Sequence, residues 1–224
     1  MPAFCPDCRA GRRQFKIWVD LPEQQQKADV RRMEMRARAA KASDFAPRFK
    51  DRTLADFADK KLLHDMLIKY VEEYPQQRDH GVGFFFFGGV GTGKSHAAIA
   101  LCNALIDRYF LQVYFAKTGE TMARIRRSIF ENNNDSILRD VMTAELLVLD
   151  DLGIDNRTDY MVETLYRIID HRYEHKLPTV ITSNATLDDI GQRYLPQISS
   201  RINEMCILVK FGGEDRRALL RPQL

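Results

Sequence analysis

Eight consecutive residues, Gly88-Gly89-Val90-Gly91-Thr92-Gly93-Lys94-Ser95, satisfy G-x-x-x-x-G-K-[ST] in full. Several backbone N–H groups must converge at once on a bound polyphosphate, and side-chain bulk would obstruct them. Gly89, Gly91 and Gly93 are read as the residues that free the backbone for this. Lys94 is long enough to reach the β- and γ-phosphates, and Ser95 can offer its hydroxyl to Mg²⁺. A second constellation follows: the apolar run Leu146-Leu147-Val148-Leu149 delivers Asp150 and Asp151 at its end. Carboxylates at the C-terminal end of a strand lie on the edge where open α/β sheets bind ligands. Asp150 is expected to hold the magnesium ion and Asp151 to orient and polarise the attacking water. ATP and Mg²⁺ are the cofactors this chemistry calls for.

These residues need elements to position them. The loop must follow a strand and open a helix, and it does: 82–87 is an apolar run suited to a strand buried on both faces, and 95–109 has an apolar face of helical spacing (Ala98, Cys102, Leu105, Ile106). Further strands are read at 112–116, 146–149, 179–182 and 206–209, with helices at 120–130 and from 160 to about 175. Strands alternating with helices predict an α/β domain with a five-stranded parallel sheet flanked by helices. Residues 51–224 are read as this domain, and 1–50 as an N-terminal extension. The polar, helix-forming stretch 23–42 has no good core stripe and is expected to be an exposed or partner-bound helix.

Among P-loop classes, no N-K-x-D guanine-reading motif and no L-S-G-G-Q signature is present. Three features lie downstream of the acid pair: the strand end Pro178-Thr179-Val180-Ile181-Thr182-Ser183-Asn184, then Ser199-Ser200-Arg201-Ile202, then Gly213-Glu214-Asp215-Arg216-Arg217. In this order they resemble an AAA+ ATPase, and more narrowly the DnaC/DnaI helicase-loader family with its transposition relative IstB, over residues from about 45 to 217. The resemblance implies a P-loop AAA+ fold and extends the nucleotide-binding loop to His96. It implies that Asn184 reads the γ-phosphate as sensor 1. Arg201 would be an arginine finger offered to a neighbouring subunit, which requires self-association. Arg217, with Arg216 as runner-up, would be the sensor 2 arginine. Most AAA+ proteins carry Asp-Glu at the acid pair; Asp151 is one methylene shorter, so slow turnover, regulated by DNA and partners, is expected. The sequence runs only a few residues past Arg217, so the C-terminal lid is read as reduced or absent, and no helix-turn-helix domain follows as in an origin-binding initiator.

The resemblance also implies single-stranded DNA. Arg124, Arg126, Arg127 and Phe130 place cations beside an aromatic ring, a combination that suits backbone tracking and base stacking. Arg127 and Phe130 match DNA-facing family positions, as do Thr158 and Tyr160; for Phe130 the competing reading is core packing at helical spacing. The net charge of +3 permits nucleic acid without demanding it, although basic residues outnumber acids ahead of the first core strand. Cys5-Pro6-Asp7-Cys8 is half of a zinc knuckle; a four-ligand site needs two more donors, none follows before His64, and free thiols are expected instead of zinc. No secretory segment and no membrane-spanning run is seen, and the cysteine usage fits a reducing, cytoplasmic setting. The leading expectation is an ATP-dependent loader of the replicative hexameric DNA helicase onto single-stranded DNA, docking the helicase through 1–50. An IstB-like transposition helper and a nucleotide-gated adaptor with negligible hydrolysis are the alternatives.

Overall fold

Four consecutive phenylalanines at 84–87 satisfy a strand only if both its faces are covered. In the computed structural model, which describes residues 23–42, 52–130, 136–153 and 157–213, they form the body of β1 (Gly83–Gly88). The sheet continues with β2 (Val113–Lys117), β3 (Leu146–Leu152), β4 (Thr179–Ser183) and β5 (Cys206–Phe211), in spatial order β2-β3-β4-β1-β5. Every pairing is parallel. Successive side chains alternate between faces. Phe84, Phe86, Val113, Phe115, Leu146, Val148 and Val180 enter one apolar cluster, and Phe85, Tyr114, Ala116, Leu147, Leu149 and Ile181 enter the other.

The helices that cover the first face are α2 (Lys61–Glu72), α3 (Tyr74–His80) and α4 (Lys94–Tyr109), with a short 3₁₀ turn at Leu54–Phe57. On the other face lie α5 (Thr118–Phe130), α6 (Ser136–Thr143), α7 (Asp159–Glu174), α8 (Leu187–Arg193) and α9 (Pro196–Met205). Parallel pairing puts the C-terminal ends of β1, β3 and β4 side by side on one edge. The glycine loop, the acid pair and Asn184 therefore meet there, although they are far apart in sequence.

The first described helix, α1 (Glu23–Ala42), leans on α4 and β2. Part of it is thus used against its own chain, whereas the composition pointed to an exposed or partner-bound helix. Arg32 supplies the reason: its Nε donates to the Asp107 carbonyl (3.0 Å) in the last turn of α4, and the guanidiniums of Arg31 and Arg32 lie 5.6 and 5.9 Å from the Phe110 ring. Cys102 and Cys206 are buried free thiols. No helix among the described residues is long and apolar enough to cross a membrane. Cys5, Cys8, Arg216 and Arg217 lie outside the described residues, as does the C-terminal stretch on which the lid is read as reduced or absent.

Candidate nucleotide site and its flanks

The loop between β1 and α4 turns through left-handed backbone at Gly88 (φ 138°), Gly91 (74°) and Gly93 (100°), the last of which caps α4. Gly88, rather than Gly89, completes the set that sequence assigned to 89, 91 and 93. The cause is the neighbouring strand: a Cβ on Gly88 would lie 2.1 Å from the Phe211 carbonyl oxygen of β5, whereas one on Gly89 would meet only the Thr92 methyl at 3.6 Å. Thr92 closes the turn by donating to the Gly89 carbonyl (2.9 Å), and Val90 is exposed at its tip.

Lys94 is buried, and its ammonium donates to the carbonyls of Gly88 (2.9 Å) and Gly89 (2.7 Å) and to Oδ1 of Asn184 (2.8 Å). Three donors thus meet three neutral acceptors. A phosphate oxygen is a stronger, charged acceptor and can displace any of them. The structure therefore brings Lys94 and Asn184 into direct contact. His96, in the first turn of α4, points elsewhere. Its Nε2 lies 2.6 Å from Oδ2 of Asp56 and its ring packs edge-on to Phe57, so it ties the 3₁₀ turn to the helix that carries the loop.

The acid pair sits on a β-bulge. Leu149 pairs with Ile181 and Leu152 with Ser183, so Asp150 and Asp151 together oppose Thr182 alone. The extra residue separates two neighbouring carboxylates by environment: Asp150 is buried, and Asp151, at a left-handed φ of 59°, is exposed. Thr182 Oγ1 donates to Asp150 Oδ1 (2.7 Å) and accepts the Asp151 backbone N–H (2.9 Å). Thr118, the first residue of α5 just past β2, donates to the Asp150 carbonyl (2.9 Å).

Burial pushes the Asp150 carboxyl above its ordinary range; hydroxyls of Ser95 and Thr182 pull it down, the charge of Asp151 pushes it up again, and Lys117 pulls it down. The net is a buried carboxylate short of positive charge, bonded to the very serine expected to share a metal with it. Mg²⁺ fits such a place. It takes hard oxygen donors, usually only one or two from protein, and completes its shell with water and phosphate. No group of three or more His, Cys, Asp or Glu side chains that could hold a metal ion by themselves occurs among the described residues.

Two flanks complete the picture. Arg201 on α9 pairs with Asp170 of α7 and lies over the rings of Tyr166 (4.8 Å) and Tyr173 (5.9 Å). It is held within its own chain, away from Lys94 and the acid pair in sequence and element. On α5, Thr121, Met122 and Ile125 face the core, while Arg124, Arg126, Arg127 and Phe130 are exposed. Phe130 is 76% exposed, so it is not a core residue. Arg126 lies 5.7 Å from the Phe130 ring and 5.9 Å from the Tyr160 ring, which joins the two expected DNA-facing places into one group. Thr158 has a local duty as well: its side chain accepts the Met161 N–H (3.2 Å) and caps α7. Sequence reasoning named Arg126 in the cation-aromatic group but missed its reach to Tyr160, and it missed Thr118 and Thr182 as members of the acid-pair group. The polar residues inside the apolar run of β4 were the available signal for Thr182.

A glycine loop after β1, an acid pair ending β3 and a polar side chain just past β4, on a sheet of this order, define a P-loop nucleotide-binding protein of the AAA+ fold. The chain belongs to the family of IstB-like ATP binding proteins, whose pattern matches residues 14–217. It is 30% identical over 138 residues to the replicative helicase loader DnaC of Escherichia coli (strain K12), covering 58% of this chain and 54% of that protein. It is 23% identical over 150 residues to the replicative helicase loader DnaI of Bacillus subtilis (strain 168), covering 61% and 48%. The chain thus spans about half the length of the curated relatives it matches. The crystal structure of the DnaC helicase loader superposes with a TM-score of 0.69 at 26% identity, covering 75% of this chain and all of that one.

Proposed function

We propose that this chain is an ATPase that uses ATP and Mg²⁺ to place a replicative hexameric helicase on single-stranded DNA. The observation that carries the reading is the convergence of Lys94, Asn184, Ser95 and Asp150 on one sheet edge, in a family that binds ATP and includes helicase loaders. In this reading Gly89 to His96 form the nucleotide loop, with Lys94 on the phosphates. Ser95 and Asp150 hold Mg²⁺, Asp151 orients water, and Asn184 reports the γ-phosphate. Arg201 acts on the nucleotide of a second copy, and Arg217 completes the site from its own chain. Single-stranded DNA runs over Arg124, Arg127, Phe130, Thr158 and Tyr160, and residues 1–50 dock the helicase onto the ATPase domain at 51–224.

The test is a full-length Lys94→Ala variant. Removing charge-assisted hydrogen bonds to phosphate is expected to weaken binding of a fluorescent ATP analogue by at least roughly ten-fold. DNA-stimulated turnover should be lost with it. Capture of a replicative helicase by the wild-type chain, and loading of that helicase on single-stranded DNA only with ATP, completes the case. Nucleotide binding that survives Lys94→Ala would sink the site, and failure to capture helicase would sink the loader role. One observation favours a switch-like variant of this reading. Asp151 is short and sits in a strained left-handed conformation, which suits slow hydrolysis and a long-lived ATP state.

A further inference from the structure

Thr182 is the only β4 residue opposite the two acids of the bulge, and its side-chain oxygen serves both. As a hydroxyl it has one hydrogen to give and lone pairs to accept with. The hydrogen goes to Asp150 Oδ1 at 2.7 Å, and a lone pair takes the Asp151 backbone N–H at 2.9 Å. The residue is fully buried, so no bulk water competes for either bond. Ser95 also bonds Asp150, but Ser95 is itself a proposed ligand of Mg²⁺. Thr182 is therefore the donor left to fix the carboxylate when Ser95 is engaged. The same oxygen holds the Asp151 N–H and with it the left-handed turn that separates the exposed acid from the buried one.

We infer that Thr182 is a positioning residue for the acid pair, orienting Asp150 toward the magnesium ion of bound nucleotide and pinning the bulge that presents Asp151. This rests on the reading of the site as one for Mg²⁺ and ATP. Neither reacting atoms nor nucleotide need touch Thr182; it acts through its two neighbours. Valine at this position keeps the branched shape and loses both hydrogen bonds, whereas serine keeps the hydroxyl.

The experiment measures the affinity of a fluorescent ATP analogue for the full-length chain with Mg²⁺ and with EDTA, alongside thermal melts. For Thr182→Val the gain in affinity that Mg²⁺ confers should fall roughly ten-fold, the effect of one hydrogen bond to a charged group, while affinity in EDTA stays at the wild-type level. Thr182→Ser should restore the gain. If the valine variant does not fold, Thr182→Ala carries the same expectation. An unchanged gain in the hydroxyl-free variant overturns the inference, and so does an equal loss with and without Mg²⁺, which would mark a packing defect. The Lys94→Ala variant separates the two levels. If it binds nucleotide normally, the site reading fails whatever Thr182 does. If it fails to bind while Thr182→Val keeps its Mg²⁺ gain, only the positioning role fails.

Discussion

Arg172 is fully buried on the apolar stripe of α7 that also carries Leu165, Ile168 and Ile169. Its guanidinium bonds neutral oxygens, one hydroxyl and four carbonyls. Nε donates to Thr179 Oγ1, Nη1 to the carbonyls of Val141, Met142 and Ala144, and Nη2 to the Pro178 carbonyl, all within 3.2 Å. Burial pulls its pKa down to about 9, which still leaves it charged at neutral pH. The carbonyls it satisfies are those left over where α6 ends and where β4 begins. Arg172→Met is expected to destabilise the fold by about 3 kcal/mol, since each orphaned buried acceptor costs about 1–3 kcal/mol and loss of the buried charge offsets part of the total. Arg172→Lys should restore little, because an ammonium cannot reproduce the planar fork. Denaturant unfolding of the three proteins measures both; wild-type stability in the lysine variant would show that charge alone suffices. The sequence could not reveal this role. An arginine on an apolar stripe has the same spacing whether it is solvated at a helix edge or buried among carbonyls, and only the third dimension brings α6 beneath it.

At the scale of elements, β1 and β3 were legible because a strand covered on both faces selects an apolar run, whereas β5 reads as apolar although, at the sheet edge, it exposes Ile207 and Leu208. The bulge in β3 was not legible. The strand is read at 146–149 with Asp150 and Asp151 at its end, whereas β3 continues through both to Leu152. The contact between α7 and α9 was hidden too. Tyr166, Asp170 and Tyr173 recur at i, i+4 and i+7, one face of α7, and they enclose Arg201. Tyr173 further donates to Glu204 of α9 (2.6 Å). If Arg201 acts on a second copy's nucleotide, it must first leave Asp170. Asp170→Asn weakens that hold and is therefore expected to lower the protein concentration at which ATP-dependent self-association begins. The shift should be up to about five-fold, the equivalent of the roughly 1 kcal/mol an incompletely buried ion pair contributes. Sedimentation over a concentration series reads it. An unchanged midpoint with a lowered Tm would mean that the pair serves only to hold α9 on α7.

Across the whole molecule, α4 is the element that joins distant parts. Its first turn carries Lys94, Ser95 and His96, its buried face fills one side of the sheet, and its last turn receives α1. Phe110, which ends the helix in a left-handed conformation (φ 58°) uncommon for a residue with a side chain, presents its ring to Arg31 and Arg32. The N-terminal segment, proposed to dock a helicase, is thus attached at the far end of the helix that begins at the phosphate loop. Such an attachment becomes coupling only if two arrangements exist and both sites bias them. Replacing Phe110 with glycine removes the ring and relieves the backbone, so α1 should come away from α4 more often while α4 itself keeps its cap. Cation–π contacts at exposed sites are worth about 0.5–1 kcal/mol, so tryptic cleavage within residues 23–42 should accelerate roughly two- to five-fold in Phe110→Gly. If α1 is a passive strap, nucleotide affinity stays at the wild-type value. If it changes, ATP must by reciprocity alter the protection of α1 in the wild-type chain by the same factor. Proteolysis with and without ATP then distinguishes an N-terminal segment that merely rests on the P-loop domain from one whose release the nucleotide governs.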